Sequence, residues 1–181
     1  MQTLGILELN SIAAGVEAGD AMLKAAYTKL VTARPVCPGK YIIMVSGDTA
    51  GVTASIEAGK AAAGQNLVDS IVIPSLDDQV FPALACAVVP EQKEAVGVVE
   101  TFSLVAAVFA ADAAVKAAGV DLIEIRLGTG LGGKSFVTMV GGTSEVKASV
   151  SAAKNCDEVQ GMIVKTVVIP SLHPDMFKAI L

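Results

Sequence analysis

The chain has 181 residues, 53% of them hydrophobic and only 4% aromatic, with a net charge of −5 and no basic block. That balance excludes a basic groove for nucleic acid, and the apolar excess favours oligomers. Three cysteines, an odd number with no CxxC pair, exclude a disulfide framework and a self-contained zinc site, and suit a reducing cytosol.

Met1-Gln2-Thr3-Leu4 lacks the basic region of a signal peptide. Residues 3–9 are apolar and predict a strand. In the helix that follows, Ile12, Val16, Gly19 and Leu23 share one face at helical spacing, which reads as the core-facing stripe. Asp20 and Lys24, four apart, meet on its surface. Strands near residues 29–33 and 41–45 flank Val36-Cys37-Pro38-Gly39-Lys40. Pro35 and Pro38 each fix φ and remove a donor, so Cys37 sits at the tip of a stiff connection. Gly47-Asp48 ends the hairpin, a helix runs over about residues 50–63, and a last strand closes on Val72-Ile73-Pro74. Residues 77–87 predict a short helix, followed by a linker around Pro90.

The chain then repeats itself. Leu4-Gly5-Ile6-Leu7-Glu8 returns as Val96-Gly97-Val98-Val99-Glu100, a shift of 92 residues. Asp20 to Lys24-Ala25-Ala26 returns at the same shift as Asp112 to Lys116-Ala117-Ala118. Pro38-Gly39-Lys40 answers to Gly132-Gly133-Lys134 at a shift of 94, and Val72-Ile73-Pro74-Ser75-Leu76 returns unchanged as Val168-Ile169-Pro170-Ser171-Leu172 at a shift of 96. The second copy puts Leu104, Val108, Ala111 and Val115 on the face matching Ile12 to Leu23, strands near 121–126 and 135–140, and a helix over about 144–153. Each copy has the order βαββαβ, an α/β (α+β) domain with helices on one face of a sheet. The expected domains are residues 1–88 and 93–181.

These motifs, in the same order twice, make the chain resemble the bacterial microcompartment shell proteins over nearly its whole length. Two non-permuted copies are similar to the tandem-domain class. That resemblance implies ferredoxin-like-variant domains, a homotrimer shaped as a pseudohexameric tile, a place in the microcompartment shell, and no enzymatic activity. It implies that Cys37 from three subunits holds one [4Fe–4S] cluster at the central axis, with Pro38 and Gly39 beside it. The cluster would carry electrons across the shell, to encapsulated or cytosolic redox proteins. Lys24 and Lys116 fall on the family's edge lysine, which joins a tile to other shell proteins. Neither a membrane nor nucleic acid is an implied partner. The family's arginine after the last strand's proline is replaced by Ser75 and Ser171.

The residues themselves keep alternatives open. A lone loop cysteine is often an idle side chain. Threefold symmetry would give three thiolates, one short of full cysteine ligation of a cubane. Without the cluster, the reading is a tile whose central pore passes metabolites. Gly128-Thr129-Gly130-Leu131-Gly132-Gly133-Lys134-Ser135 fits the phosphate-binding P-loop pattern, which would make the chain a nucleotide-binding enzyme. That chemistry needs a helix straight after the lysine. Phe136-Val137-Thr138-Met139-Val140 is strand-forming, so the stretch reads as a hairpin tip. A small-molecule sensor on a ferredoxin-like fold is a further alternative. Glu8 and Glu100 suit structural hydrogen bonds, while Cys86, Cys156 and His173 have no partner at metal-ligand or catalytic spacing.

Overall fold

The computed structural model describes residues 2–89, 91, 93–128 and 130–180. Pro90, the centre of the expected linker, and Thr129 of the second tip lie outside them. The chain forms two compact units that divide between Asp78 and Gln79.

The first unit contains β1 (Gln2–Leu9), α1 (Ile12–Ala25), β2 (Lys29–Val36), β3 (Lys40–Gly47), α2 (Thr49–Ala63) and β4 (Leu67–Leu76). Its sheet has the order β2-β3-β1-β4, all antiparallel. The second unit begins with the short α3 (Val80–Leu84) and repeats the pattern: β5 (Ala95–Thr101), α4 (Leu104–Ala117), β6 (Asp121–Leu127), β7 (Ser135–Gly141), α5 (Thr143–Asn155), β8 (Ile163–Pro170) and α6 (Pro174–Ala179). The sheet order is again equivalent, β6-β7-β5-β8. The duplication extends to backbone angles. Ser75 and Ser171, repeat equivalents, both take a left-handed φ, 58° and 54°.

Polar residues start the helices. Ser11 and Ser103 accept from the N–H of Ala14 and Ala106 at 3.3 and 3.4 Å, capping α1 and α4. Asp48 caps α2 by accepting from Gly51 N–H at 2.8 Å. Its equivalent, Gly142, has no side chain to do this. There Glu145 reaches back and accepts from the Gly142 N–H at 2.9 Å.

The core of the first unit lies between the sheet and its two helices, with Leu7, Leu9, Met22, Ile43, Val45, Val52 and Ile56 buried together. Gly5 and Gly97 explain the glycine in the repeated opening motif. A Cβ on Gly5 would lie 2.7 Å from Val52 and 2.8 Å from Ile56, and one on Gly97 2.8 Å from Val146 and 2.9 Å from Val150. The second helix of each domain therefore rests directly on the backbone of the central strand. Adjacent residues on a strand face opposite ways. Val96 accordingly turns from the helices and packs with Ile123, Val140 and Phe177 of α6, so α6 covers the other face of the second sheet.

One expectation is corrected. The stripe Ile12, Val16 and Leu23 is exposed, and α1 buries Gly15, Ala18 and Met22. Small residues let the helix approach the sheet closely: a Cβ on Gly15 would fall 2.4 Å from the Tyr41 ring. In α4 the matching residues Leu104, Val108 and Ala111 are buried, as expected, and Val115 is half-buried. No helix among the described residues is long and apolar enough to cross a membrane.

Candidate functional site

Cys37, Pro38 and Gly39 form the three-residue turn between β2 and β3. Pro35 lies inside β2, where an edge strand tolerates its missing donor. Gly39 supplies a left-handed residue, φ 75°, that closes the turn. A Cβ built there meets nothing within 4 Å, so conformation and not space calls for glycine. Pro38 and Gly39 are exposed, and Cys37 is a free, half-buried thiol.

The foot of this tip is held on both sides. Val36 is buried. Lys40 Nζ lies 3.0 Å from Glu8 Oε1, and the Glu8 side chain is only 12% exposed. The second tip has the same foot, with Lys134 Nζ donating to Glu100 Oε1. Glu8 and Glu100, expected to make structural hydrogen bonds, each tie the central strand to the lysine that closes a tip. The repeat carried this signal, because both members of the pair recur in register. Such partly exposed pairs contribute about 0–1 kcal/mol, so their main effect is to fix where each loop leaves the sheet.

The second tip is a hairpin and not a P-loop. Gly128 N–H donates to Lys134 O at 3.1 Å, Lys134 N–H to Leu131 O at 3.2 Å, and β7 follows at Ser135. Gly128, Gly130, Gly132 and Gly133 all have positive φ. The lysine is engaged by Glu100, and Ser135 is fully buried. The lysine is followed by a strand, where a phosphate loop needs the N-terminus of a helix. Equilibrium dialysis should therefore find no saturable ATP binding at millimolar nucleotide, with Lys134→Ala indistinguishable from wild type.

The other thiols lie on separate elements. Cys86 is exposed in the turn after α3, with φ 49°. Cys156 ends α5 and its Sγ donates to Glu158 Oε2 at 3.0 Å. Burial, and then donation to that carboxylate, push the Cys156 thiol above its ordinary pKa, which disfavours the thiolate a metal needs. His173 caps α6, its Nδ1 accepting from Asp175 N–H at 3.2 Å. Among the described residues, no group of three or more His, Cys, Asp or Glu could hold a metal ion. Of the two hairpin tips, the first carries a thiol, Cys37, and Cys86 and Cys156 lie away from both.

Lys24 and Lys116 stand in the last turns of α1 and α4, where a cation suits the helix dipole. Each forms an ion pair at 2.6 Å, with Asp20 and Asp112 respectively, and the Lys24 side chain is 74% exposed.

The BMC domain matches this chain twice, over residues 3–76 and 95–172. The chain is 42% identical to the bacterial microcompartment shell protein PduT of Citrobacter freundii over 177 residues, which covers 98% of this chain and 96% of that protein. It is 41% identical over 87 residues to the shell protein EutM of Salmonella typhimurium, covering 45% of this chain and 91% of that one. A crystal structure of a microcompartment protein from Desulfitobacterium hafniense superposes with a TM-score of 0.94 at 47% identity, covering 99% of both chains.

Proposed function

We propose that this chain, which belongs to the BMC-domain family and is a structural protein of the bacterial microcompartment shell, carries a redox centre within that shell. Like its shell-protein relatives it is a structural component and not an enzyme. Three copies form a tile of six BMC domains, and Cys37 of each copy contributes one thiolate to a shared [4Fe–4S] cluster.

The observation that carries this reading is the asymmetry of the two tips. Both are hairpin ends with a Glu–Lys pair at the foot, and only the first presents a thiol. Among the described residues, this soft donor belongs to no group of three or more His, Cys, Asp or Glu that could hold a metal ion. Cyclic symmetry turns one donor per chain into a set of three. That set suits iron and sulfide, with one iron left free of protein thiolate. When bound, such a cluster exchanges single electrons. This chain's own part is to hold the thiolate. Val36 anchors the turn, and Lys40 and Glu8 fix its base.

Protein purified without oxygen should contain about four iron and four sulfide per three chains on this assignment. A trimer that binds no iron under those conditions would overturn the cluster and leave a tile with an open pore. Lys24 and Lys116 join tiles at their edges in the same reading. The double variant Lys24→Ala/Lys116→Ala should stay trimeric and lose extended sheets in electron micrographs. Sheets of normal extent would remove the lysines from the edge.

A further inference from the structure

The face of the second sheet that carries α6 also holds a cavity of about 350 Å³. Strand register sets its floor in two rows. Val98, Thr138 and Glu124 stand side by side across β5, β7 and β6, and Phe136 and Arg126 form the next row. Val98, Phe136 and Ile180, which follows α6, make its walls apolar.

An ion pair lies in this lining. Arg126 Nη2 is 2.6 Å from Glu124 Oε2, and the guanidinium sits 5.8 Å from the centre of the Phe136 ring. The Glu124 side chain is 7% exposed and that of Arg126 47%, so the arginine is the member that meets solvent.

Comparison of the repeats shows that the fold does not need this set. The first-unit counterparts of Val98, Phe136 and Thr138 are Ile6, Ile42 and Met44, paired in the same register and all buried. Val98 and Phe136 are only half-buried. The arginine recurs as Arg34, whereas Glu124 answers to Thr32. Burying a carboxylate costs desolvation that can exceed the attraction of its pair, and apolar packing at the same place is often as stable. The second copy has exchanged a closed apolar face for a hollow with a charge pair in its wall.

We propose that this cavity binds a small uncharged molecule that carries a hydrogen-bond acceptor and donor side by side on a short apolar chain; a primary amide is the simplest. The guanidinium fork has more N–H donors than one carboxylate oxygen engages, so it also donates to the ligand's oxygen. Glu124 accepts from the ligand's N–H. The apolar chain lies against Val98, Phe136 and Ile180. Ions of the same shape are refused: Glu124 repels a carboxylate and Arg126 an ammonium, and the apolar walls do not replace their lost hydration.

Butanamide, butanoate and butylammonium, alike in size, test this on the full chain in its native oligomeric state. Binding is followed by the broadening of the ligand's NMR signals. Butanamide should bind saturably, about tenfold tighter than either ion. Glu124→Gln keeps the shape and leaves Arg126 without its anion, so the preference should invert, with butanoate gaining about tenfold over its affinity for wild type. A merely structural Glu124 would produce no such inversion. No saturable butanamide binding, an ion that binds wild type as tightly as the amide, or an unchanged preference in Glu124→Gln overturns the proposal. If circular dichroism shows that Glu124→Gln misfolds, Ile180→Trp decides the matter. The indole fills the cavity from the half-buried end of the chain, so butanamide binding should vanish, and its survival overturns the site.

Discussion

Cys37→Ser should strip the protein of its iron and sulfide while its native mass stays that of the wild-type oligomer. Serine keeps the size and the turn conformation, and the loop's anchors, Val36 and the Lys40–Glu8 pair, do not involve the thiol. It replaces a soft thiolate by a hydroxyl that stays protonated near neutral pH. On the proposed assignment each chain contributes one ligand, so a single substitution removes all three at once. Loss should therefore be complete and not graded. Cys86→Ser and Cys156→Ser provide the controls. Cys86 sits in a turn after α3, and Cys156 is a half-buried donor to Glu158, so both should leave iron content unchanged. Full iron and sulfide in the Cys37→Ser protein would show that the cluster, if present, is held elsewhere. On the same proposal one iron lacks a protein thiolate, so the wild-type colour should fade in air.

Gly97→Val should lower stability by about 3 kcal/mol or more, at the upper end of the cost of overpacking a core. The added Cβ alone would lie 2.8 Å from Val146, 2.9 Å from Val150 and 3.0 Å from Met139. Val146 and Met139 are fully buried, so neither side chain has space to move into. The helix must lift off the strand instead, and the core beneath it opens. Gly5→Val should behave alike through Val52 and Ile56. By contrast, Gly39→Ala meets no atom and should cost only the strain of a left-handed alanine, about 1 kcal/mol. Urea denaturation with the midpoint followed by circular dichroism compares the three. A Gly97→Val midpoint equal to wild type would mean the helix does not rest on the strand backbone.

Much of the molecule was legible in the sequence because a duplicated chain carries its own comparison. Residues that recur at the same element in both copies are those the fold needs. This is why the βαββαβ order, the hairpin tips and the strand after Lys134 all emerge from the residues. The second tip shows the value of that comparison. Its letters match a phosphate loop, but its partner in the first copy joins two strands, and the structure gives a hairpin.

The sequence alone also determined that Cys37 occupies a rigid tip and that the second tip has no equivalent thiol. Proline and glycine act on local backbone angles, and local constraints are readable without knowing what lies nearby. What only the tertiary structure decided concerns surfaces that several elements build together. Helical spacing grouped Ile12, Val16 and Leu23 correctly, yet periodicity cannot say which of two faces is inward when small residues line the other. The close approach of Gly15 to Tyr41 settles it, since a helix packs where its backbone comes nearest the sheet. The Glu8–Lys40 pair joins residues far apart in sequence through strand register, and the docking of Gln79 on β6 depends on where the chain turns after β4. Both arise from positions in space that no local pattern encodes.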